Sequence, residues 1–324
     1  MRQLAAVVLT LLLGACAGAG GVSEPGRAVG DDGWTPAKAE IRSIGLGLPG
    51  GVRLAPGVRF AGGLQIVAAR GDRLHGLSDL KLANADMVAG TDSGDLIRGR
   101  IVLDRDGRLA GLSGLRLRGL TAEDGQPFAA KSDGDAESLA ITGEGDLIVG
   151  FEQVPRLWSY GPLDRLNTRP LARAVPPVPP GNDGLEALAW GPDGLRAAAE
   201  GGGVWDCTDA HCLEVSAVSG TPHAVSDWRV TGMDRDPAGT GWFVAERLYR
   251  EPFDIRARLR RMESSGRLGP VLVTLSLPST TDNFEGVAAT AGASGTRLYI
   301  LSDDNDNPRQ RTLLLAFDLG SSKP

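Results

Sequence analysis

The sequence predicts an all-β chain closed into a six-bladed β-propeller, and three observations carry that prediction. The first is a short apolar signature holding an acid, which returns five times. It reads Gly76-Leu77-Ser78-Asp79-Leu80, Asp135-Ala136-Glu137-Ser138-Leu139, Gly184-Leu185-Glu186-Ala187-Leu188, Thr231-Gly232-Met233-Asp234 and Asn283-Phe284-Glu285-Gly286-Val287. Its acids stand 58, 49, 48 and 51 residues apart, about the length of one four-stranded blade. The second is composition: 46 Gly and 20 Pro punctuate short apolar runs, as a chain of strands and turns requires. The third is length, because residues 37–324 divide into about six units of that period.

Each signature is an inner strand, followed by a turn and a second strand ending in another acid. Gly191-Pro192-Asp193-Gly194 shows the turn chemistry most plainly: proline presets φ and glycine accepts positive φ, so the two apolar runs fold back as a hairpin. The second acids are Asp92, Glu152, Glu200, Glu246 and Asp303. Antiparallel pairing brings the start of one strand and the end of the next to the same side of the sheet, so every blade is expected to offer two carboxylates to one end of a central channel. Further strands are expected at Gly99–Leu103, Arg156–Tyr160, Arg256–Met262 and Thr312–Leu319, with the proline-rich run Pro176–Pro180 as a stiff connector between blades. Residues 39–70 contain strand-like runs but no clear acid; they are expected to form the sixth blade and to close the ring with the C-terminal strands, removing exposed sheet edges.

A net charge of −6 and a pI near 5.2 argue against nucleic acid, whose phosphates are held by basic surfaces. The N-terminus reads as an export signal. Arg2 precedes an apolar stretch, Leu4–Leu13, too short to span a bilayer. Leu13-Gly14-Ala15-Cys16 then matches a bacterial lipobox, with Cys16 as the lipidated first residue of the mature chain; an ordinary signal peptide cut near Ala15 or Ala17 is the alternative. Residues 1–16 are thus expected as a lipoprotein signal, 17–36 as a flexible tether and 37–324 as the propeller domain. This places the chain in the cell envelope, anchored to the outer membrane by lipid and facing the periplasm or the cell surface, as a monomer. Removing Cys16 leaves Cys207 and Cys212, expected to form a disulfide in an oxidising compartment; a metal site using His211 is the alternative, although no second cysteine pair completes a zinc set.

A ring of carboxylates in a partly desolvated channel cannot remain ionised unaided, since like charges raise one another's pKa. Protonation, pairing with arginine and a bound metal are the three resolutions, and abundant hard oxygen ligands suit Ca²⁺. The expected ligands are Asp79, Glu137, Glu186 and Glu285, against the alternative that these acids accept backbone N–H bonds and brace neighbouring blades. Glu152, Glu200, Glu246, Arg247, Asp303 and Arg309 are the expected contacts to a small anionic or ester substrate. The run Asp303-Asp304-Asn305-Asp306-Asn307 begins like a calcium-binding EF-hand loop, but Pro308 replaces its glycine and Leu314 its bidentate glutamate. It reads as an acidic loop at the channel mouth that could add oxygens to a shared site. Arg256, Arg258 and Arg260 alternate along a strand and read as a solvated face. No catalytic nucleophile is assigned: Gly111-Leu112-Ser113-Gly114 and Gly76-Leu77-Ser78-Asp79 both miss the serine elbow.

Taken together, Gly76–Asp79, Asp135–Ala140, Gly184–Ala189, Phe243–Arg247 and the segment Leu301–Phe317 resemble the phytase-like family with esterase-like activity of phytase, over about residues 58–319. The resemblance implies an exported β-propeller, related by analogy to calcium-dependent phytases. It implies metal-assisted hydrolysis of phosphoesters or related esters. A non-catalytic binding propeller with structural calcium, and a lactonase-type hydrolase, stand as alternatives.

Overall fold

A computed structural model describes residues 32–178, 184–215, 228–250, 254–293 and 295–320. The lipobox and signal segment, most of the stretch read as tether and part of the proline-rich connector lie outside the described residues. Among the described residues there are five antiparallel sheets of four or five strands. Their inner strands are Leu77–Ala83, Ala136–Ile141, Leu185–Gly191, Trp228–Arg235 and Asn283–Gly292. Each inner strand packs against the next, and the last packs against the first, so the ring is closed with five blades.

The sixth blade expected from residues 39–70 does not form, because these residues complete other blades. Val58–Ala68 pairs with the C-terminal strand Thr312–Gly320, and Ala39–Ile44 pairs with Val58–Ala68. Val52–Leu54 adds an outer strand to the fourth blade. Thr35–Pro36 adds one to the first, with Trp34 buried beside it, so blade structure already reaches into the stretch read as tether. One N-terminal segment therefore joins three blades and covers sheet edges that would otherwise be open. The third strands are Asp95–Leu103, Arg156–Pro162, Asp254–Met262 and Thr312–Gly320 where the signatures were legible.

The core is five clusters, one at each junction between neighbouring blades. Leu139, Leu147 and Phe151 of the second blade meet Val88 and Leu96 of the first. Phe243, Ala245 and Leu259 of the fourth meet Phe284, Val287 and Ile300 of the fifth. Leu77, Leu80 and Met87 close the circle against Leu301, Leu314 and Ala316. Burying the leucine, isoleucine, valine, methionine and phenylalanine side chains among them is worth about 1.5–3 kcal/mol each, and the inner ends of the blades are held rigidly as a result. Cys207 and Cys212 form a disulfide across a two-strand ladder, which removes the metal alternative for that pair.

Candidate functional site

Every inner strand carries a β-bulge at the same place. The extra residue is Ser78, Glu137, Glu186, Thr231 and Glu285 in the five blades. A bulge re-aims a side chain that regular pleating would direct elsewhere, and here it defines a ring of three glutamates and two hydroxyls. The residue before each bulge faces Thr91, Phe151, Ala199, Glu246 and Ser302 on the second strand. One step further along that strand stand Asp92, Glu152, Glu200, Arg247 and Asp303, a second ring at the same end of the channel. Close approach of the rings depends on glycine in two blades. A Cβ at Gly76 would lie 2.3 Å from a carboxylate oxygen of Asp92, and one at Gly184 would lie 2.6 Å from Cγ of Glu152.

The rings bring like charges together. Asp135, Glu137 and Glu152 each offer an oxygen within 4.8 Å of the others. Asp135 approaches Glu137, and Glu152 approaches Glu186, closely enough for each pair to interact directly; two carboxyls can sit together in this way only by sharing a proton or a cation. Burial, then the neighbouring acids, hold the Glu137 and Glu186 carboxyls well above the usual carboxylate range. Burial pushes Glu285 up to about 7 against the opposing pull of Arg247, and burial with Glu285 raises Asp303 to about 9. Cations at this end are few. Lys131 pairs with Asp92. Arg247 donates to Glu285 Oε1 (2.6 Å), Glu200 Oε1 (2.8 Å) and Asn283 Oδ1. The donor set is all oxygen, crowded and undercompensated, which fits a hard divalent cation.

Four expected assignments change. Asp79 does not join the acids at the channel mouth. It is fully buried, and its oxygens accept from Leu80 N (2.6 Å), Lys81 Nζ (2.7 Å) and Leu139 N of the next blade (2.8 Å). Asp234 braces the fourth and fifth blades in the same way, accepting from Arg235 N and Ala289 N. These two acids follow the brace alternative because they sit one and three residues beyond the bulge. Glu246 lies on the opposite face of its strand from Arg247 and is bound by Arg258 through Nε (2.6 Å) and Nη2 (2.9 Å). Arg258 also covers Trp228, so it is a half-buried partner of Glu246 and not part of a solvated face. Replacing Asp79 by Asn should cost about 1–3 kcal/mol, since a buried acceptor is lost beside Lys81. Cation binding should stay intact, which chemical denaturation and a calcium titration of the same variant would check.

Glu137, Glu186, Glu285, Glu152, Glu200, Arg247 and Asp303 all reach the channel end. Asp92, expected as the second acid of the first blade, is there as well, and Ser78, Thr231, Asp135 and Lys131 join it without having been among the expected site residues. The acidic loop is organised differently from the expectation. Asn305 N bonds Asp303 Oδ1, Asp306 N and Gly76 N bond Asp304 Oδ1, and Thr312 Oγ1 bonds Asp304 Oδ2. Asn305 and Asp306 both have positive φ, a conformation that Asn and Asp tolerate better than most residues. The loop's oxygens thus hold its own backbone and tie it to Gly76 and Thr312, and its shape carries Arg309 outward, where it is exposed.

The profile of the family described as "Phytase-like: Esterase-like activity of phytase" matches residues 72–306, which include all five bulges and both rings. The chain belongs to the phytase-like family. No curated protein matches this phytase-like chain in sequence. Among solved structures, it is similar to a structural-genomics target provisionally named a gluconolactonase, at 13% identity and a TM-score of 0.47, over 91% of this chain and 98% of the other. It is also similar to the Malassezia sympodialis allergen Mala s 1, at 15% identity and 0.45 over 82% and 90%. Myxococcus xanthus glutaminyl cyclase is a third, at 12% identity and 0.45 over 88% and 98%. In the phytase-like chain, the acids of the family-matched region converge on one end of one channel.

Proposed function

We propose that this phytase-like propeller is an envelope-anchored, calcium-dependent hydrolase of phosphoesters or related esters, acting as a monomer on a small anionic or ester substrate. The observation that carries the reading is the convergence of the Asp135, Glu137 and Glu152 oxygens at the channel end that also holds Arg247 and Lys131. Asp135, Glu137 and Glu152 would hold the cation, with Glu186 and Glu285 beside them. A bound calcium would supply charge neutralisation and an acidified water. Arg247 is fixed by three partners, so its guanidinium can meet an oxyanion without reorganising. Glu285, raised to about 7, can hold or release a proton near neutral pH, as general acid–base work requires. The lipobox at Cys16 supports the envelope location.

The test measures phosphate release from phytate and p-nitrophenyl phosphate by the full chain, with calcium or with chelator, alongside neutral esters and lactones. Calcium-dependent phosphate release, lost in Glu186→Gln, is the expected result. Turnover confined to lactones or neutral esters would replace phosphoesters as the substrate. No turnover of any of them, with calcium still raising stability, would leave a binding propeller.

A further inference from the structure

Beside the channel end lies a groove of about 650 Å³ whose chemistry is opposite to that of the carboxylate rings. Arg247, Arg309 and Arg311 line it, and the single carboxylate among its lining residues is Asp282. Asp282 is already engaged, accepting from Arg311 Nε at 3.0 Å. The neighbouring acids of the loop are turned to other partners: Asp303 and Asp304 hold backbone and hydroxyl groups, and Asp304 and Asp306 line an adjoining hollow with His75 and Asp72, which shares Gln310 and Arg311 with the groove and leaves Arg309 as the arginine away from acids. Arg309 makes no side-chain ion pair among the described residues, although Asx turns fix its backbone, with its N–H bonded to Asn307 Oδ1 at 3.1 Å. An arginine placed by a structured loop and left without a carboxylate is a donor fork awaiting an oxyanion.

The rest of the lining describes the body of the ligand. Asn305, Asn307 and Gln310 present amides, which pair with hydroxyl groups in either direction. Tyr249 and Leu277 stand on the rim, 57% and 59% exposed, and together make an apolar wall suited to the C–H face of a sugar or similar ring. Arg247 belongs to both places. Its guanidinium bonds Glu200 and Glu285 of the channel and also lines the groove.

We propose that this groove is an anion subsite that binds a phosphate or carboxylate group of a hydroxylated ligand through Arg309 and Arg311, without metal. The group bound there is not the one that reacts. It docks the ligand so that a second functional group reaches the carboxylate cluster past Arg247. The anion contact stands independently of the hydrolase reading, and only the reactive role of the second group rests on it.

The test is calorimetric binding to the full chain in chelator, using glucose 6-phosphate, glucuronate, glucose and inorganic phosphate as probes. Glucose 6-phosphate or glucuronate should bind and glucose should not, and whichever of the two binds more tightly identifies the oxyanion. Arg309→Ala should weaken that binding about tenfold or more, the worth of one charge-assisted contact, with unchanged thermal unfolding because the side chain is exposed. Glu137→Gln should leave it unaltered. Binding that persists in Arg309→Ala, binding by glucose alone, or no binding by any probe would overturn the subsite, even if ester turnover is found. Arg309-dependent binding without any turnover would sustain it while removing the hydrolase.

Discussion

Replacing Arg247 by Met should destabilise the metal-free protein by about 3–5 kcal/mol at neutral pH, the loss expected when one member of a buried ion-pair network is removed. Burial alone would lower the pKa of this guanidinium, yet Glu285, Glu200 and Glu186 more than offset it and hold it firmly protonated. Without it, Glu285 and Glu200, with side chains only 8% and 14% exposed, lose their countercharge. The deficit should depend on pH with a defined sign. Glu285 has a folded pKa of about 7, above its ordinary value of 4.5, so the folded state binds the extra proton. The stabilisation this gives is complete below about 4.5 and is lost as pH rises through 7. The Arg247→Met deficit should therefore be smaller at pH 5 than at pH 8. Arg247→Lys should not restore stability, because an ammonium cannot serve Glu285, Glu200 and Asn283 in one fork. Chemical denaturation in chelator at the two pH values measures both effects. A loss below about 1 kcal/mol at pH 8 would mean that the acids are already neutral and that Arg247 is not their countercharge.

The repeat, the all-β class and the single acidic channel end were legible because apolar spacing survives where sequence identity does not. The blade number was not legible, because strand-like runs at 39–70 look the same whether they form a blade of their own or complete the edges of three others. Register was misread for a physical reason. Alignment on the acids pairs Asp79 and Asp234 with Glu137, Glu186 and Glu285, whereas the fold aligns the apolar pairs that enclose the bulge. Those pairs are Leu77 and Leu80, Ala136 and Leu139, Leu185 and Leu188, Val230 and Met233, and Phe284 and Val287, each three residues apart and each buried. Packing between blades fixes these positions, while the bulged residue between them is free to vary as Ser78, Glu137, Glu186, Thr231 or Glu285. The same correction moves the second ring from Glu246 to Arg247, since a shift of one residue in a strand exchanges its faces. Asp135 was written inside a signature but lost beside Glu137, because it stands one residue before the inner strand Ala136–Ile141, where strand alternation does not fix the direction of a side chain. The folding of the acidic loop required the structure, since Asx turns and metal ligation use the same residue types.

Glu137→Gln should separate the two ways in which this channel can tolerate its acids. Burial and then Glu285, Asp135 and Glu152 raise the Glu137 carboxyl well above 4.5, and burial followed by Glu285 pushes Asp303 up to about 9. In chelator, the parent protein should therefore lose stability as pH climbs from about 5 towards 9, since each raised carboxyl contributes most below its unfolded pKa and nothing above its folded one. A cation bound to Asp135, Glu137 and Glu152 reverses that slope, because it favours the ionised form that protons otherwise displace. At pH 8, calcium at a hundredfold excess over its dissociation constant should add about 2.7 kcal/mol to the parent. Glu137→Gln should remove most of that gain, reduce any calcium-dependent turnover by about 100-fold or more through loss of a ligand, and make the metal-free protein at pH 8 more stable than the parent. The last effect is the informative one. A variant that is more stable without metal and unresponsive to it places Glu137 where charge is kept at a cost for the sake of a ligand, as functional sites do. A variant less stable than the parent under every condition, with calcium protection unchanged, would instead make Glu137 a brace like Asp79 and move the cation to Glu186 and Glu285.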